Sequence, residues 1–162
     1  MSGIPYRLVL DTNIIVRGLI NLQSASGRIL SACERRQVIP ILSKPILTEY
    51  RLILQRPAIL HNYPEISRPD VKDALERLLF VGDYYRKVGV RFSFTRDPKD
   101  APFLELSIAA SASHLITTDA DMLELAVGRD DAAKRFRQRA ATKILKPEEF
   151  IADHPGAIAA KY

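Results

Sequence analysis

The chain has 162 residues, 47% of them hydrophobic, which is enough to bury a real core within one domain spanning residues 1–162 and leaves no room for a second. Lysine and arginine number 24 against 19 acidic residues, and the resulting formal charge of +5 favours polyanionic partners over acidic ones. A single cysteine, Cys33, excludes an internal disulfide and a Cys-rich zinc site, His61, His114 and His154 are too scattered for a metal pair, and the absence of a leader or membrane-length apolar run makes a cytoplasmic location the expectation.

Leu8-Val9-Leu10 is an apolar run that ends abruptly in Asp11-Thr12-Asn13. With no polar alternation it reads as a buried parallel strand. Asp11 then stands at a strand's carboxyl end, where open α/β sheets bind ligands, or it simply caps the helix that follows. A short helix or loop is expected next, then a helix over Gly27 to Gln37, a second strand over Val38 to Leu42, and a helix from Lys44 to Arg56 with Ser43 as its N-cap. Pro57, Pro64 and Pro69 mark residues 57–69 as a connector. A long amphipathic helix is expected from Pro69 or Asp70 towards Tyr85, followed by an extended stretch over Val88 to Phe94 and a polar turn over Arg96 to Pro102. Phe103 to Ala112 reads as a buried helix, and His114 to Thr117 as a third strand ending near Asp119. A helix over Asp121 to Ala126, the basic stretch Lys134 to Arg139, a last strand at Lys143 to Leu145 and a short helix opened by Pro147 complete the chain. Alternating strands and helices imply right-handed crossovers and a parallel sheet covered on both faces. No Gly-rich phosphate loop is present, so nucleotide-binding α/β functions lose support.

Several acids stand where a solvated acid would not. Glu49 has Pro45, Ile46, Leu52 and Ile53 as its helical neighbours, and Glu105 has Ala101, Pro102, Ile108 and Ala109. A carboxylate on an apolar face needs a positive partner, which is either an arginine or a metal ion. In Asp97-Pro98-Lys99-Asp100 one aspartate caps the next helix and the other is free to point to the sheet edge. Asp119 and Asp121 end the third strand as Asp11 ends the first, with the Thr118 hydroxyl available to orient a carboxylate. Asp11, Glu49, Asp100, Glu105 and Asp119 are therefore expected to meet at one end of the sheet. Crowded carboxylates repel unless a divalent ion neutralises them. With oxygen ligands alone, Mg²⁺ or Mn²⁺ fits best, and such a site suits phosphodiester hydrolysis.

These segments, Leu-Asp-Thr-Asn at 10–13, Glu49, Arg-Asp-Pro-Lys-Asp-Ala-Pro-Phe-Leu-Glu at 96–105, Leu-Ile-Thr-Thr-Asp-Ala-Asp-Met-Leu at 115–123 and Ile-Leu-Lys-Pro-Glu-Glu-Phe at 144–150, closely resemble PIN-domain proteins. The nearest resemblance is to the subgroup of toxin components of toxin-antitoxin systems, the VapC-like ribonucleases. It implies a Rossmann-like three-layer α/β/α fold with a central parallel sheet of about five strands, metal-dependent endoribonuclease activity, and RNA, a cognate antitoxin and a second copy of the chain as partners. By position, Asp11, Glu49 and Asp119 match the family's acids. Glu105 precedes Ile108-Ala109-Ala110 as the family's third acid does, while Asp100 is an additional acid of the subgroup, so either is the third metal ligand. The stretch 128–142 is longer and more basic than the family's usual link, and residues 152–162 form a short tail.

Two rival readings stand beside this one. A haloacid dehalogenase-like phosphatase needs a second Asp two residues after the first, and that position is Asn13. A catalytically weak RNA-binding or partner-binding module would keep the acids without the chemistry. If the segment after Asp121 is helical, Arg135 and Arg139 share one face and Lys134 and Arg137 a neighbouring one. Arg135, Arg137 and Arg139 are therefore expected to steer an RNA backbone towards the acids, the alternative being a merely solvated face.

Overall fold

The computed structural model describes residues 5–66 and 68–158. The first four residues and residues 159–162 of the expected tail lie outside them. Five strands, β1 (Arg7–Leu10), β2 (Ile39–Ser43), β3 (Asp83–Tyr85), β4 (His114–Ile116) and β5 (Lys143–Leu145), form one sheet in the order β3-β2-β1-β4-β5. Every neighbouring pair is parallel, with Leu8 opposite both Pro40 and His114 and Ile116 opposite Leu145. The chain builds outward from β1 on one side, then returns to build outward on the other. The reversal falls between β1 and β4, and in open parallel sheets the carboxyl ends at that point are where ligands bind.

Helices fill the crossovers: α1 (Thr12–Ile20) and α2 (Ala25–Glu34) follow β1, and α3 (Lys44–Leu54), α4 (Pro57–Asn62) and α5 (Arg68–Val81) follow β2. A 3-10 turn over Pro98–Asp100 leads into α6 (Ala101–Ala109), while α7 (Ala120–Val127) and α8 (Asp131–Arg139) join β4 to β5 and α9 (Pro147–Asp153) follows. Right-handed crossovers put α1 to α5 on one face and α6 to α8 on the other, giving three α/β/α layers. Leu8, Val9, Ile41, Leu115 and Ile116 are wholly buried between the layers, which is why their strands carry no polar alternation. Among the described residues no helix is long and apolar enough to cross a membrane.

Three elements differ from expectation. Residues 57–62 form α4 rather than a connector, because Pro57 occupies the first helical turn, where a missing N–H is harmless. The helix expected to run towards Tyr85 ends at Val81. A Cβ on Gly82 would lie 2.7 Å from Pro40 O and 2.8 Å from Leu78 O, so the chain passes hard against β2 there and then pairs with it as β3. Val88 to Phe94 joins no strand ladder; it is held instead by burial of Phe92 and Phe94.

Candidate metal centre

Asp11 immediately follows β1 and is 6% exposed. Its Oδ1 accepts from the Thr12 backbone N–H at 2.7 Å, so it caps α1, and its Oδ2 accepts from the Thr117 hydroxyl at 2.7 Å. Thr117 Oγ1 in turn accepts from Asp119 N–H at 2.9 Å, and Asp119 Oδ1 accepts from Asp121 N–H at 2.9 Å at the head of α7. On the other side, the Thr12 hydroxyl donates to Glu49 Oε2 at 2.6 Å from α3. Two threonines thus link three acids drawn from three elements. Tyr50, fully buried beside Glu49, fixes α3 to the end of β1 by donating to Leu10 O at 2.5 Å.

The 3-10 turn adds two more acids. Asp97 accepts from Lys99 N–H at 3.1 Å and caps the turn, whereas Asp100, 8% exposed, makes no capping bond and leaves Oδ2 buried without a hydrogen-bond partner. One oxygen from each of Asp97, Asp100 and Asp119 lies within 4.8 Å of the others.

Crowding leaves an electrostatic signature. Burial, above all, raises the Asp11 pKa to about 6, with Glu49 and Asp119 adding to the rise and the Thr117 and Thr12 hydrogen bonds opposing it. Asp100 is raised further, first by burial, then by a hydrogen bond and charge repulsion from Asp119, then by Asp11 and Asp97. An orphaned buried carboxylate oxygen among acids that resist ionising together fits a cation. The donors are all oxygen, the set that hard divalent ions prefer.

Of the other residues singled out in the sequence, Asn13 is exposed on the first turn of α1, and Thr118 and Asp121 are half-buried beside Asp119. Glu105, like Asp11 and Glu49, lies outside that group of three close acids. Burial raises its pKa while Arg91 and Arg139 oppose the rise, and it lines a pocket with Arg86 and Lys87. Arg137 donates to Leu125 O at 2.8 Å and Gly128 O at 2.6 Å, Arg139 to Arg91 O at 2.6 Å, and Arg135 to Ser93 O at 3.4 Å while stacking over Phe92. Thr117 and Thr12 were not singled out in the sequence, and Asp97, weighed there with Asp100 as cap or free acid, both caps the turn and joins the cluster. The Asp97–Asp100 spacing was the available signal for that second role.

Asp97, Asp100 and Asp119 form, at the switch point of a parallel α/β sheet, a group of carboxylates that could hold a metal ion. The PIN domain family model matches residues 7–121, and the chain belongs to that family, whose fold is of nuclease type. It is also 25% identical over 157 residues to MJ1680, an uncharacterized protein of Methanocaldococcus jannaschii, covering 93% of each chain. No solved structure matches.

Proposed function

We propose that this protein is an Mg²⁺- or Mn²⁺-dependent endoribonuclease that hydrolyses RNA phosphodiester bonds at the aspartate cluster. The observation that carries the reading is the mutual approach of Asp97, Asp100 and Asp119 with Asp100 Oδ2 orphaned and buried. Asp100 rather than Glu105 is then the third ligand, since Glu105 faces arginines. When bound, such an ion polarises a phosphate oxygen and lowers the pKa of water. Asp97, Asp100 and Asp119 would hold the cation. Asp11 and Glu49, fixed in place by Thr117 and Thr12, would complete the ring of acids around it, and Asp121 and Thr118 flank Asp119.

Arg135 and Arg139 steer the RNA backbone, each having spare N–H groups beyond the single carbonyl it holds. Arg137 acts with them less directly, through α7. A toxin role, with a cognate antitoxin and a homodimeric assembly in the cytoplasm, is the finer part of this proposal and rests on the motif resemblance. Growth arrest on expression, relieved by co-expressing the neighbouring reading frame, tests that part, and unimpaired growth removes it.

The activity itself is tested by incubating mixed RNA with the protein in Mn²⁺ and in chelator. Cleavage is expected in Mn²⁺ alone, and Asp119→Asn should reduce it by on the order of a hundredfold or more, as removing a charge-stabilising group from an active site does. Cleavage that survives both chelator and Asp119→Asn would overturn the reading.

A further inference from the structure

One strand along the same sheet edge lies a cavity of about 360 Å³ whose lining includes Ser43, Lys44, Arg86, Lys87, Arg91 and Glu105. Ser43 ends β2 and occupies the N-cap position of α3, a helix of 11 residues. It is 1% exposed, yet its hydroxyl makes no capping bond and has no hydrogen-bond partner. A buried hydroxyl left unpaired is unfavourable and calls for a partner that comes and goes. The N–H groups of the first turn of α3 add a partial positive charge at the same place, which favours an anion.

The charges lining the cavity point the same way. Lys44, Arg86 and Lys87 are exposed and form no ion pair among the described residues. Glu105 is the acid in the lining, and the charges of Arg91 and Arg139 offset it. Position supplies the substrate class. β1 and β2 are neighbouring parallel strands paired at Arg7–Ile39 and Leu8–Pro40, so Asp11 after β1 and Ser43 at the end of β2 fall at the same carboxyl edge of the sheet on adjacent strands. An anion at the head of α3 therefore neighbours the aspartate cluster, and a polymer that repeats phosphates along its length spans both.

We infer that the cavity at the head of α3 is a phosphate subsite that holds an RNA backbone phosphate next to the one hydrolysed, with Ser43 Oγ, Arg86 and Lys87 as its contacts. The RNA assignment rests on the ribonuclease reading; the anion site does not. The test uses the full chain in chelator, a fluorescein-labelled 2′-O-methyl RNA oligonucleotide and inorganic phosphate as probes, and the variants Ser43→Ala and Arg86→Gln/Lys87→Gln. Ser43→Ala should weaken RNA binding roughly tenfold, the effect of losing one hydrogen bond to a charged group. The exposed double variant should lower the slope of log affinity against log salt by about 0.7 for the phosphate released.

Unchanged affinity and salt slope in both variants overturn the subsite. Phosphate binding that depends on Ser43 while RNA binding does not overturns the RNA assignment in favour of a free anion. Cleavage of unmodified RNA by the wild type in Mn²⁺ is scored separately. Its absence alongside the expected binding losses supports the subsite and discards the nuclease reading, and its presence with unaltered binding does the reverse.

Discussion

Asp11 performs two tasks with its two oxygens, since Oδ1 caps α1 while Oδ2 ties the first acid to Thr117 and so to Asp119. Of the two roles weighed for it in the sequence, the cap is made by Oδ1, and the ligand-binding role belongs to the proposed function. Its pKa of about 6 lies above the ordinary carboxylate range, so the folded metal-free chain binds this proton more tightly than the unfolded chain does. That contribution to stability is fully present below about pH 4 and is lost as pH rises through about 6. Asp11→Asn keeps an oxygen to cap α1 and removes the charge. Its metal-free form should melt higher than wild type near about pH 7, and the gap should close towards about pH 4. A variant that melts lower at neutral pH would show that capping by the charged group outweighs its burial. At this scale Asp11, Asp100 and Asp119 were legible because an acid after an apolar run or beside a Pro turn stands out. Thr117 was not, since a strand's side chains alternate and a shift of one residue exchanges Thr117 for Thr118 as the inward hydroxyl.

Among the elements, α8 is where the sequence is most ambiguous, because three arginines on a helix look alike whether they meet RNA, solvent or backbone. Arg137 fastens the end of α7 through Leu125 O and Gly128 O, while Arg135 and Arg139 hold the Val88–Phe94 segment against α8, with Phe92 packed edge-on to Phe136. Arg137→Ala should thus lower stability by about 1–3 kcal/mol through two lost charged hydrogen bonds, with little change in the salt dependence of RNA binding. Arg135→Gln/Arg139→Gln should flatten that salt dependence instead. Thermal melts and salt titrations of the two variants check the division of labour, and an unchanged melting point in Arg137→Ala would contradict it. Helix boundaries were readable where a cap or proline marks them, as at Ser43 and Pro147. The end of α5 was obscure because Gly82 responds to the nearness of Pro40, a contact made across the sheet and invisible along the chain. The same holds for Val88 to Phe94, whose apolar pattern is satisfied by core burial without a strand partner.

On the scale of the whole molecule, the sheet order sets out the electrostatics. The reversal between β1 and β4 brings Asp11 and Thr117 side by side, and the acids gather there from the 3-10 turn, α3 and the head of α7. Around them lie the cations of α3, the β3–α6 connection and α8, so a chain of net charge +5 presents an acidic centre within a basic surround. On the proposed reading, that arrangement draws a polyanion in over long range while reserving the centre for a cation. Fold class and the parallel sheet followed from the pattern of buried runs, whereas β3 lay inside an expected helix because its three residues show no buried run, and the count of about five strands came from the motif resemblance. The most direct measurement is Mn²⁺ binding, by calorimetry and by loss of the free-ion electron paramagnetic resonance signal, to wild type, Asp100→Asn and Glu105→Gln. Wild type and Glu105→Gln should bind the ion with similar affinity, and Asp100→Asn should lose on the order of a hundredfold, since a ligand matters at least as much as the groups that orient it. Binding lost in Glu105→Gln but retained in Asp100→Asn, or no binding by wild type, would contradict the proposed metal centre.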